Sequence, residues 1–134
     1  MSAAALTGGC LCGQVRYAAR GPALNVRACH CTLCRKASSA PFFARAIFPW
    51  DAVTRTGETL DYRSSPRLTR RSCARCGTLV FCDPDDPPAR LAISLATLDD
   101  PNALAPDRHI YTSTRLDWLR LDDGLPQHAE GAPP

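Results

Sequence analysis

Eight cysteines fall within 134 residues, and seven of them stand in three tight groups. Cys10 and Cys12 form C-x-C in Gly9-Cys10-Leu11-Cys12-Gly13; Cys29, Cys31 and Cys34 form C-x-C-x-x-C; Cys73 and Cys76 form C-x-x-C, followed by Gly77. A C-x-x-C turn with a following glycine aims two sulfurs at one ion, because glycine accepts the backbone conformation that amide-to-sulfur bonding imposes. Each pair supplies two ligands and a structural zinc needs four. The separated pairs Cys10/Cys12 and Cys73/Cys76 are therefore expected to complete one four-cysteine zinc site, tying the N-terminal strand to the middle of the chain. Cys29, Cys31 and Cys34 put three thiolates at one place, and three protein ligands with an open position is the arrangement of a reactive zinc. A second structural site closed by Cys82, His30 or His109 is the alternative the spacing leaves open. A redox role for C-x-x-C is disfavoured, since no βαβ pattern surrounds any pair.

The remaining chemistry-bearing residues read more plainly. Cys82 lies in an apolar strand candidate, where a free cysteine acts as a small hydrophobe. His30 stands between two ligands and is expected to point away from the metal they share. His109, in Arg108-His109-Ile110-Tyr111, reads as a packed or capping histidine before it reads as a base, and His128 as solvated. No Walker A motif, dinucleotide fingerprint or G-x-S-x-G occurs, which disfavours nucleotide-dependent and serine-hydrolase chemistry.

The elements that must position these groups are short. Twelve prolines and eight glycines punctuate the sequence, and long 3.6-period apolar patterns are absent, so little helix is expected. Residues 14–19 alternate, with Val15 and Tyr17 on one face against Gln14 and Arg16 on the other. Segments 41–48, 60–63, 67–73, 78–82 and 91–95 are further strand candidates, with a core from Val15, Tyr17, Phe42, Phe43, Ile47, Leu79, Phe81, Leu91, Ile93 and Leu95. The expected fold is mostly β: short stacked sheets with metal knuckles between them, in one domain over residues 1–126, followed by a disordered tail over 127–134. That core is modest, so metal binding is expected to contribute to folding itself.

Composition narrows the partners. The hydrophobic and charged fractions, 45% and 22%, are those of a globular domain. No apolar run approaches the roughly 20 residues that span a bilayer. Residues 1–6 lack the length and basic start of a secretory leader, so a cytoplasmic, reducing location without membrane attachment is expected. The formal charge of +3 counts every thiol as neutral. Seven thiolates on two divalent ions bring it to zero, which removes the basic excess as an argument for nucleic acid.

Taken together, these motifs resemble the glutathione-dependent formaldehyde-activating enzyme family, whose domain also occurs in centromere protein V. The resemblance lies in Gly8-Gly9-Cys10-Leu11-Cys12-Gly13-Gln14-Val15-Arg16-Tyr17, in Cys29-His30-Cys31-Thr32-Leu33-Cys34-Arg35-Lys36 and in Cys73-Ala74-Arg75-Cys76-Gly77-Thr78. Downstream, Asp107-Arg108-His109-Ile110-Tyr111, Trp118 and Asp123-Gly124-Leu125-Pro126 add to it. It implies an Mss4-like zinc-binding fold, a structural zinc on Cys10, Cys12, Cys73 and Cys76, and a second, activity-linked zinc on Cys29, Cys31 and Cys34. The implied activity is a carbon-sulfur lyase reaction run in reverse: glutathione adds to formaldehyde, giving S-hydroxymethylglutathione. A non-enzymatic zinc module (a thiol carrier, a chaperone-like or a chromatin-associated domain) is the competing class.

Three thiolates against a +2 ion leave the second site at −1, a weak Lewis acid suited to binding a thiol and possessed of a labile fourth position. Glutathione carries two carboxylates. Arg35 and Lys36, immediately after the triplet, and Arg71, within the arginine-rich strand before Cys73, are the cations expected to receive them.

Overall fold

The computed structural model describes residues 5–84 and 89–131. In chain order it contains β1 (Leu6–Gly9), β2 (Arg16–Ala19), β3 (Asn25–Cys29), α1 (Thr32–Ser38), β4 (Phe43–Pro49), β5 (Val53–Thr56), β6 (Thr59–Ser65), β7 (Leu68–Cys73), β8 (Leu79–Pro84), β9 (Arg90–Ser94) and β10 (Arg108–Ile110), with single 3-10 turns between. The protein is mostly β, as its punctuation dictates. Two sheets form: a three-stranded one in the order β1-β2-β5, and a seven-stranded one in the order β10-β3-β4-β9-β8-β7-β6. All pairings are antiparallel except β10 with β3.

Strand alternation sorts the side chains of the large sheet onto two faces. The inner face carries Val26, Ala46, Phe48, Phe81, Leu91 and Ile93, which pack against Val15, Tyr17, Ala19 and Val53 beneath the small sheet. Tyr17 meets Phe81 edge-on, centroids 5.6 Å apart, and its hydroxyl reaches Thr97 Oγ1 at 2.8 Å. The outer face carries Cys29, Phe43, Ile47, Cys82 and Ala92, and with Cys34 and Ile110 they make a second apolar cluster. Every expected core residue is buried except Phe42 and Leu79, which are half-buried.

One expectation meets a different outcome. The chain over 127–131 does not trail into solvent. Tyr111 N–H donates to Glu130 O, His128 N–H to His109 O, and Thr112 N–H to His128 O. The tail forms a parallel bridge from Gln127 to His109. It covers what would be the bare edge of β10, and unpaired edge groups are the physical reason this proline-bearing segment orders. His128 is correspondingly half-buried. Residues 132–134 lie outside the described residues. The little helix expected is α1, seven residues whose N-cap is Cys31, accepting from Cys34 N–H, and whose C-cap Ser39 takes a left-handed conformation at φ 54°. Among the described residues no helix is long and apolar enough to cross a membrane.

Candidate metal centres

Cys10, Cys12, Cys73 and Cys76 bring their sulfurs within 4.8 Å of one another. Cys10 and Cys12 flank the turn after β1, closed by Gly13 N–H on Cys10 O. Cys73 ends β7, and Gly77, at φ +81°, turns the chain so that its N–H returns to Cys73 O at 2.9 Å. Backbone amides point at the sulfurs: Val15 N–H at Cys10, and both Arg75 and Cys76 N–H at Cys73. Thr78 joins the two turns, its hydroxyl accepting from Leu11 N–H at 3.1 Å and lying 3.2 Å from Cys76 Sγ. The Cys10–Cys12 and Cys12–Cys73 sulfur separations are 3.6 and 3.8 Å. A tetrahedron with sulfurs about 2.3 Å from a zinc has edges of about 3.8 Å, so the donor set and its size fit that ion.

The second group is built over six residues. Cys29 ends β3, Cys31 caps α1 and Cys34 stands one turn into the helix; their sulfurs also lie within 4.8 Å of one another. Cys29 and Cys34 are buried and Cys31 is half-buried, so the group is approached from the Cys31 side. Hydrogen bonds from Cys29 and then Cys34, joined by the Cys34 and Leu33 amides, hold the Cys31 thiol far below the ordinary thiol range. Donating to Cys31, and then to Cys34, pushes Cys29 up, and burial adds to this. One sulfur is thus ready as an anion, and an ion must displace the remaining protons. Neither Cys82 nor either histidine belongs to this group of three.

The surroundings were only partly readable from sequence. Arg35 lies back on its own helix start, Nε donating to His30 O and Nη2 to Thr32 Oγ1, both at 3.3 Å. Lys36 is exposed on the same helix. Arg71 is elsewhere: on the inner side of β7 it binds both oxygens of Asp83, and its Nη1 meets Asp61 at 2.6 Å. With its fork already filled, it is not gathered with Arg35 and Lys36 at the cysteine triplet. The cation that does reach the triplet is Arg70. Its guanidinium is buried, with Nη2 3.6 Å from Cys34 Sγ, Nη1 3.8 Å from Cys82 Sγ, and Nε donating to Ser64 Oγ at 2.9 Å. Alternation puts Arg70 and Arg71 on opposite faces of β7; which face carries the triplet is set by the registers that link β3 to β7 through β4, β9 and β8, and not by β7 itself.

The histidines are linked. His30 Nε2 and His109 Nδ1 are 2.9 Å apart, and His109 Nε2 lies 2.7 Å from Asp123 Oδ2. A carboxylate only accepts, so His109 carries its proton on Nε2; neutral, it then accepts at Nδ1 from His30 Nε2–H. His30 Nδ1 is left as a buried acceptor with no partner among the described residues. Burial above all holds His30 down at about 4, so it stays neutral. The pair Arg108-His109 was visible in the sequence; its approach to His30 depends on β10 pairing parallel to β3, and Asp123 reaches it because the tail folds back.

A cavity of about 830 Å³ opens between the end of α1 and the Gly77 turn, with Ser38, Phe42, Phe43, Leu79, Ser94 and Thr97 on its walls. Among the described residues no cysteine and no charged side chain lines it.

The architecture is similar to that of a crystallised Rhodobacter sphaeroides protein, with a TM-score of 0.60 over 75% of this chain and 98% of that one at 19% identity. At that identity the likeness speaks for the fold. The family model described as glutathione-dependent formaldehyde-activating enzyme matches residues 5–114, a span that holds both cysteine groups. The chain belongs to the glutathione-dependent formaldehyde-activating enzyme family.

Proposed function

We propose that this protein joins a thiol of the glutathione type to formaldehyde or another small aldehyde, with one zinc on Cys10, Cys12, Cys73 and Cys76 for structure and a second on Cys29, Cys31 and Cys34 for the reaction. The observation that carries the reading is the second group itself: three converging thiols, no fourth protein ligand among the described residues, and an approach past half-buried Cys31. A soft, thiolate-rich shell favours sulfur as its incoming ligand, and a zinc bound there would lower the pKa of that thiol. The reaction balances without a redox partner: a sulfur–carbon bond forms, the carbonyl π bond breaks, and the thiol proton ends on the carbonyl oxygen. Cys29, Cys31 and Cys34 hold the site, Arg70 offsets its negative charge, and Arg35 and Lys36 stand beside it on α1 as cations for the thiol's carboxylates. The partners are small molecules in this reading, since metal loading cancels the basic excess that nucleic acid would require.

The test is the rate of S-hydroxymethylglutathione formation over the spontaneous addition, measured with metal-loaded protein and with Cys31→Ala. Acceleration by the parent chain, lost in Cys31→Ala together with one equivalent of zinc while the β-sheet circular dichroism persists, supports the reading. A rate equal to the uncatalysed one assigns the chain to the thiol-binding, non-catalytic class. Loss of fold together with metal makes the second group structural.

A further inference from the structure

The outer face of the large sheet carries an arrangement that the thiol chemistry does not use. Register places Arg27 of β3 directly opposite Arg45 of β4, and Arg108 of β10 directly opposite Arg27. Arg90, at the start of β9, comes to the same place, and Arg27, Arg45 and Arg90 surround a cavity of about 150 Å³ floored by Ile47, Cys82 and Ala92. Like charges directly opposite one another across a sheet are destabilising. Here they are also partly out of water: burial first, and then Arg45, Arg108 and Arg90, push the Arg27 guanidinium down from its usual range.

Among the described residues the counter-charge is missing. Asp107 is engaged by Arg108 at 2.6 Å and by Val26 N–H at 3.2 Å. Arg27 Nε donates to the neutral Asn25 Oδ1 at 2.8 Å. Among the described residues no carboxylate pairs with Arg27, Arg45 or Arg90, and Arg45 Nε is buried without any acceptor. A buried N–H left unpaired costs about 1–3 kcal/mol, more on a charged group, and a planar fork of donors matches the two oxygens of a carboxylate or phosphate. The cavity is smaller than the roughly 300 Å³ at which sites for whole drug-sized ligands begin. It admits a head group.

We propose that Arg27, Arg45 and Arg90 form a binding site for one small oxyanion, a carboxylate or phosphate group, on the outer face of the sheet above Cys82. The ligand is either a free oxyanion or the carboxylate of a larger molecule, the substrate thiol included. The site stands on its own geometry and does not depend on the proposed reaction.

Nitrogen-15 resonances of the arginine Nε–H groups in the metal-loaded protein read the site directly. Formate and inorganic phosphate, titrated at constant ionic strength, are expected to move Arg27 and Arg45 saturably with millimolar half-saturation while the exposed Arg120 barely responds. Arg90→Gln, a change at an exposed position, is expected to weaken binding at least tenfold, and Arg45→Gln to do the same when followed at Arg27. S-Methylglutathione, which has both carboxylates and no thiol, separates the sources: at least tenfold tighter binding than formate assigns the oxyanion to a larger ligand, and equal binding assigns it to a free ion. Shifts that are linear, shared with Arg120 or unchanged in Arg90→Gln overturn the proposal. Saturable binding that appears only once Asp85 and Asp86 are both changed to Asn also overturns it, because those carboxylates would then be the occupant.

Discussion

Arg70→Met should weaken metal binding at the second cysteine group and leave the first unaffected. The magnitude follows from one distance. Arg70 Nη2 lies 3.6 Å from Cys34 Sγ, and opposite unit charges about that far apart attract by roughly 5 kcal/mol at an effective dielectric constant of about 20. Metal loading spreads the negative charge that the bare triplet concentrates on Cys31 over all three sulfurs, so Cys34, the sulfur that Arg70 touches, gains about a third of a unit. The contact with Arg70 therefore strengthens by about 1.5 kcal/mol on loading, roughly tenfold in metal affinity. The cost of burying the guanidinium and its bond to Ser64 are common to both states and cancel. Competition against a chromophoric zinc chelator, with both sites resolved, is the assay. Arg70→Lys, which keeps a charge on a shorter reach, should recover part of the loss. An affinity within twofold of the parent value in Arg70→Met would refute the electrostatic reasoning and leave Arg70 as a packing residue.

Other expectations follow from the same geometry. Cys73→Ser should yield insoluble or unfolded protein, since Cys12 and Cys73 are separated by 61 residues and the ion that closes such a loop contributes on the order of 10 kcal/mol to folding; a soluble variant with unchanged melting refutes this. Arg16 first, and then the Thr7 hydroxyl, hold the Asp99 carboxyl down at about 2. Its contribution is fully present above the ordinary carboxylate value of about 4 and is lost only as pH falls through 2. Acid unfolding that begins above pH 4 must therefore come from other groups: buried His30, whose neutral form costs stability as pH falls from about 6.5 toward 4, and metal-bound thiolates. Asp99→Asn should leave that midpoint in place, and a displacement of half a pH unit or more would count against the assignment. In Asp123→Asn the Leu125 amide, which donates to Asp123 Oδ1, keeps the Asn oxygen on its side and turns the NH2 toward His109 Nε2, reversing the donor direction along His109 and His30. Imidazole nitrogen-15 shifts should then show His30 protonated at Nδ1 instead of Nε2; unchanged shifts would break the inferred chain.

How far the sequence could carry this reading depended on whether an element keeps its alternation unmasked. Gln14 to Tyr17 was legible because Val15 and Tyr17 face one way beside polar neighbours, and both are buried. β3 was not, since Asn25, Arg27 and Cys29 put polar and ligand residues on a face that is itself largely covered. α1 was hidden by its length: seven residues give no period, and its cap is a cysteine rather than a hydroxyl or acid. The cysteine groupings were legible because ligand spacing is local. The Asp123–His109–His30 chain and the Arg27–Arg45–Arg90 group were not, because each assembles residues from strands whose adjacency only the sheet order fixes.

That same contrast between local and distant assembly separates the two cysteine groups, although their chemistry is alike. The Cys10–Cys12 turn meets the Cys73–Cys76 turn through sulfur contacts and the Thr78 hydroxyl, with no strand pairing directly between β1 and β7. The small sheet is also tied to the chain after β9 by the Gly8–Leu98 bridge and by the bonds of Thr7, Arg16 and Tyr17. Without an ion, however, the two cysteine turns themselves are joined by little more than the Thr78 hydroxyl. Cys29 is held by strand pairing on both sides, to Phe43 and to Ile110. Cys31 and Cys34 are held by a helix cap that closes on a backbone amide. Their backbone is fixed by hydrogen bonds that no ion supplies, so the triplet can gain, lose or share a ligand while the sheet beneath it stays intact. The proposed exchange of ligands at the triplet requires that independence from the fold, and the proposed structural role of the four-cysteine group requires the opposite.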